Sequence, residues 1–142
     1  MAQLQWNDSL SIGVELIDGQ HKTWIEKYNA LSSAIEMRQG PREIAETLNF
    51  LVDYTAFHFD AEEQQMAAVS YPNLDEHHAK HEELQTALGR LIDDFQEEGA
   101  THILADFLDT FLGNWLVDHI RSIDVQFGAH LKDKGIELAG DA

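Results

Sequence analysis

The stretch Thr55–Met66 reads TAFHFDAEEQQM, with His58 and Glu62 four residues apart, about one turn of a helix. An imidazole and a carboxylate so placed can pair with each other or hold a metal ion together. The same spacing joins His77 to His81. A single histidine, His21, stands in DGQHKTW, and His119 opens HIRSID, where Asp124 follows five residues on. On an ideal helix that last interval turns about 140° past a full turn. Either Asp124 reaches back around the helix, or the helix loosens near its C-terminal end.

Glu62 lies on an apolar stripe, and an unpaired carboxylate buried there costs several kcal/mol, a large share of a domain's stability of about 5 to 15 kcal/mol. No lysine or arginine lies on any of the core stripes. Positive charge must come from histidinium or from metal, and five converging imidazolium groups would repel one another. A metal cluster resolves both difficulties. The chain has no cysteine, so thiolate sites are excluded and any metal rests on histidine and carboxylate.

Four long segments carry apolar residues three and four apart, and no alternating run argues for a sheet. The first begins near Ile17 and buries Ile17, His21, Trp24, Ile25, Tyr28, Leu31 and Ile35. The second starts at Pro41, a favourable first-turn position, with Ile44, Leu48, Leu51, Thr55, His58, Glu62, Met66 and Val69 inward. A third runs from about Leu74 through His77, His81, Leu84, Leu88, Leu91 and Phe95. The fourth runs from about Thr101 through Leu104, Leu108, Phe111, Trp115, His119 and Ile123. Breaks fall at QGPRE, at SYPNLDE and at EEGAT around Gly99. Short connections predict an all-α, antiparallel up-down-up-down four-helix bundle. The chain reads as one domain, 1–142: an N-terminal arm over 1–16, the bundle over about 17–128, and a tail over about 129–142. The arm, with Trp6 and Leu10, is expected to lie across the end of the bundle.

With 26 acidic against 9 basic residues, the formal charge is −17, which repels nucleic acid and anionic lipid. No stretch reaches the ~18 apolar residues of a membrane span, and the first residues resemble no signal peptide. A cytoplasmic protein with no nucleic-acid partner and no membrane insertion is expected.

Taken in order, His21, His58 with Glu62, His77 with His81, and His119 with Asp124 resemble the ligand pattern of the hemerythrin family, single-domain bacterial type. The resemblance runs from WNDSLSIGVELIDGQH to DHIRSID. It implies a non-haem centre of two iron ions, oxo- or hydroxo-bridged, that binds dioxygen reversibly. His77, His81 and His119 would hold one iron, His21 and His58 the other, and Glu62 and Asp124 would bridge them. The implied role is oxygen storage, transport or delivery, with dioxygen as ligand, an oxygen-consuming enzyme as partner, and a monomeric chain that is not an enzyme. Helical spacing makes Trp24, Ile25, Phe59 and Leu116 candidates for the oxygen pocket; ordinary core packing accounts for each equally well. His78, His102 and His130 are expected at the surface and Asp60 and Glu63 in solvent, while Asp18 and Asp118 are placed to accept from an imidazole N–H. The rival readings are an oxygen or redox sensor acting through a partner, a di-iron oxidase and a bis-histidine haem bundle. Ferritin-like oxidases use Glu-x-x-His, which this sequence lacks, and a haem would leave Glu62 unexplained.

Overall fold

The computed structural model describes residues 4–98 and 101–136. Four helices build the bundle: α1 (Glu15–Glu36), α2 (Pro41–Ala68), α3 (Leu74–Glu98) and α4, a continuous rod over Thr101–Asp133. No strand occurs among the described residues. Glu15 and Asp18 place negative charge in the first turn of α1, where the helix dipole favours it. Pro41 starts α2, and both α1 and α2 are followed by a residue of positive φ, Arg38 and Ser70, which turns the chain into the next connection. The break expected at EEGAT falls on residues 99–100, outside the described residues.

Ring contacts and hydrogen bonds fix neighbours around the bundle. Trp24 on α1 donates its indole N–H to Thr55 on α2 at 2.8 Å. Phe59 on α2 stacks on His81 of α3, His77 of α3 meets His119 of α4, and Tyr28 of α1 donates to the carbonyl of Leu108 on α4 at 2.9 Å. The expected stripes of α1 to α3 are buried, apart from Val69 and Leu74, which are half-buried at the ends of their helices.

The fourth stripe differs. The rod contains two π-turns, Leu108–Leu112 and Ile120–Asp124, each closed by an i to i+5 hydrogen bond, from Gly113 N to Leu108 O and from Val125 N to Ile120 O. The first inserts one residue into the helical count. The inward face therefore passes to Leu112, Leu116, His119 and Ile120, which are buried, while Phe111, Trp115 and Ile123 are only half-buried. The rod also continues to Asp133, past the boundary drawn near residue 128.

The arm runs lengthwise beside α1 and α4 rather than across the bundle's end. Leu4 exchanges two backbone hydrogen bonds with the Asn29 side chain, Arg121 donates to Ser9, and the Ile12 carbonyl lies against Gly128, where an added Cβ would stand 2.0 Å from it. Asn29 is fourteen residues into α1, about 20 Å along the helix, so its amide draws the chain along the side of the bundle.

Candidate metal centre

α1 and α3 run toward the other end of the bundle from where α2 and α4 arrive, so the starts of the first pair meet the ends of the second. That end brings together His21, His58, Glu62, His77, His81, His119 and Asp124, all buried. Their ligating atoms form two groups. Glu62, His77, His81, His119 and Asp124 make one, and His21, His58, Glu62 and Asp124 the other; within each, all atoms lie within 4.8 Å of one another. Both carboxylates are common to both groups. His77 Nε2 lies 2.7 Å from Glu62 and 2.8 Å from Asp124, His21 Nε2 2.9 Å from Asp124, and His119 Nε2 3.1 Å from Asp124.

Asp124 joins the group because of the second π-turn. Its i to i+5 closure stacks residues five apart, turning the awkward interval between His119 and Asp124 into one face. Of the two possibilities left open by the sequence, the helix loosens.

These contacts are close but lack hydrogen-bond direction. His21 Nε2, His58 Nε2, His77 Nε2 and both oxygens of Glu62 and of Asp124 are buried without a hydrogen-bond partner, an arrangement costing about 1 to 3 kcal/mol for each such group. These atoms converge on shared space. Nitrogen and oxygen donors so arranged suit first-row transition metals such as iron, and the residues fit a bridged metal pair.

Without metal the electrostatics are tense. Burial lowers the His21 pKa, but Asp124 and Glu62 beside it prevail and hold it raised at about 9. His77 is likewise pulled down by burial and carried up to about 9 by Asp124 and Glu62. His58 goes the other way: burial outweighs Glu62 and lowers it to about 3, so its imidazole is neutral. Burial and mutual repulsion push Glu62 up, and His21, His77 and His81 bring it below the usual carboxylate range. Asp124 is lowered too, burial being overcome by His119, His21 and His77.

Two polar partners lie behind the imidazoles, and neither is the one expected. Gln20 Oε1 accepts from His58 Nδ1 at 2.7 Å, and Glu63 Oε2 accepts from His81 Nδ1 at 2.9 Å. Glu63 is thus turned into the gap between α2 and α3 instead of solvent, and its other oxygen meets His78 Nδ1. Asp18 instead accepts from Ile12 N and Ser11 Oγ, because the arm passes over the start of α1, and Asp118 is exposed. Asp60 is exposed and binds Gln64. His78 and His102 are exposed; His130 is half-buried against Tyr71.

Of the pocket candidates, Trp24 lies 5.2 Å from the His58 ring and Phe59 stacks on His81 at 3.8 Å. Ile25 and Leu116 are buried, Leu116 in the turn before His119. Trp115, not among the candidates, stacks on His119 at 4.5 Å. The available signal was its place four residues before His119 on the same expected stripe.

Residues 12–131 match the family model described as the Hemerythrin HHE cation binding domain. A bacteriohemerythrin of Stenotrophomonas maltophilia is 36% identical over 132 residues, covering 93% of this chain and 84% of that protein. One of Methylococcus capsulatus is 32% identical over 130 residues, covering 90% of this chain and 96% of that protein. The crystal structure of a wild-type hemerythrin matches with a TM-score of 0.76 at 27% identity, covering 90% of this chain and 97% of that one.

Proposed function

The chain belongs to the hemerythrin family, and we propose that it binds dioxygen reversibly at a bridged pair of irons, for storage, transport or delivery. The observation that carries this reading is the set of buried, partnerless donor atoms in two groups that share both carboxylates. His77, His81 and His119 would hold one iron and His21 and His58 the other, with Glu62 and Asp124 within reach of both. Three imidazoles would serve the first iron and only two the second, which would leave the second room for a further ligand. When bound, such an iron pair would supply the electrons that dioxygen takes up.

The chain's own residues do the rest. Neutral His58 presents its Nε2 lone pair inward because its Nδ1–H is held by Gln20. Trp24, Ile25, Phe59 and Leu116 wall the site with apolar surface and keep water and small anions away. No helix among the described residues is long and apolar enough to cross a membrane. Five imidazoles against two carboxylates favour the ferrous state, which suits binding better than sustained oxidation of a substrate.

The test is an absorption spectrum with metal analysis, taken without oxygen, with it, and after its removal. Two irons per chain and a colour that comes and goes with oxygen are expected. One zinc per chain, a Soret band, or continuing substrate turnover would each overturn the reading.

A further inference from the structure

The imidazoles of the two metal groups are backed unequally. His81 donates its Nδ1–H to a carboxylate, Glu63. His58 donates to a neutral amide oxygen, Gln20. His21 Nδ1 is buried with no partner. The residues differ in kind as well as in strength: Glu63 sits on α2 and reaches α3, its second oxygen fixed by His78, and Gln20 sits on α1, 5% exposed.

An Nδ1–H shared with a carboxylate makes the opposite nitrogen a stronger electron donor, and a stronger donor favours the more highly charged metal. An amide does this weakly, and an unpartnered N–H not at all. Resting on the reading above, we propose that Glu63 and Gln20 are positioning residues that polarise the iron pair. Glu63 makes the three-imidazole iron electron-rich and tightly held. Gln20 orients His58 without adding charge, so the two-imidazole iron, where dioxygen enters, stays the more Lewis-acidic and is released first.

The geometry suits such a role because both side chains can be exchanged without change of shape. Glu63→Gln converts the carboxylate into an amide, and Gln20→Glu does the reverse on the other side. A packing effect would push both variants the same way; a charge effect must push them in opposite directions.

The experiment uses the full chain loaded anaerobically with ferrous iron, comparing wild type, Glu63→Gln and Gln20→Glu. Midpoint potential and iron retained after timed exposure to a chelator are measured, with helix content as a check on folding. Glu63→Gln should weaken iron retention about tenfold and raise the potential, about 59 mV for each tenfold loss of ferric over ferrous preference. Gln20→Glu should lower the potential and slow loss of the first iron. Should Glu63→Gln fail to load, the direction of the Gln20→Glu shift decides alone. Unchanged potentials with two irons bound, or shifts of the same sign, would overturn the polarising role while leaving the iron pair in place. A wild-type chain that takes up no iron pair would overturn the underlying reading and this proposal with it.

Discussion

Tyr28 marks the level at which one way of filling the bundle gives way to another. On one side lie Leu31, Ile35, Ile44, Leu48, Leu88, Leu91 and Leu104, all buried and apolar. On the other lie five histidines and two carboxylates, equally buried. In the apolar half each side chain contributes by itself, at about 25 cal/mol for every Å² removed from water. Among the five histidines and two carboxylates none is stabilising alone, because each presents a lone pair or charge that only a shared partner can satisfy. The apolar half should thus fail gradually, and the polar half as a unit.

Glu62 offers the hardest test of that contrast. Glu62→Ala removes an oxygen donor from both metal groups at once and leaves the imidazoles facing only Asp124. Iron content should fall from two toward none, and removing one partner of a buried charge cluster should cost about 3 to 5 kcal/mol. Glu62→Gln keeps the shape but bridges poorly, so it too should lose iron. Metal analysis and chemical denaturation measure both effects. Either variant holding two irons and binding oxygen normally would show that Glu62 is no bridge.

The sequence carried more of this than a list of motifs suggests, and its failures have physical causes. The four stripes were legible because each helix buries one face, so periodicity alone located His21, His58, Glu62, His77, His81 and His119. By periodicity Asp124 was a puzzle, since a constant helical period places it off the face, and only the resemblance to a family's ligand pattern set it with the others; the π-turn that corrects the period depends on backbone packing, which a residue count does not contain. The other π-turn, Leu108–Leu112, likewise moved the inward face away from the expected Phe111 and Trp115 to Leu112 and Leu116. Glu63 and Gln20 were missed for another reason. Each flanks its own stripe and meets a histidine on a neighbouring helix, and one helix's pattern says nothing about which gap a flanking side chain enters. Asp18 was misassigned because the arm's path over α1 is a tertiary fact.

A finer cut compares two leucines of the same rod. Leu116 lies in the turn before His119 and Leu108 two turns farther away, at the seam between the halves; both are fully buried. Truncating either to alanine should cost about 2 to 5 kcal/mol. Only Leu116→Ala should also open the oxygen site to water and small anions, so its autoxidation to the ferric form should quicken while iron content stays near wild type. Loss of the absorption of the oxygenated form over time, read at matched temperature and pH, separates them. Equal rates would assign Leu116 to core packing alone.

The smallest expected effect lies at the seam itself. Tyr28 Oη donates to Leu108 O, a carbonyl that also accepts from Gly113 N in the first π-turn. Tyr28→Phe therefore leaves the carbonyl paired and should cost about 0.5 to 1.5 kcal/mol, with iron content unchanged. Gly113 belongs to the same contact: a Cβ there would stand 2.9 Å from Tyr28 Oη and 3.4 Å from Leu108 O. In the wild-type background the hydroxyl blocks the extra methyl, so Gly113→Ala should destabilise despite alanine's helix preference of about 1 kcal/mol over glycine. In the Tyr28→Phe background the nearest obstacle is gone, and the same substitution should cost less or turn favourable. A double-mutant cycle by denaturant unfolding reads this coupling directly. Additive costs would mean that the hydroxyl does not hold the π-turn, and a drop in bound iron in Tyr28→Phe would mean that the two halves are not separable at this level.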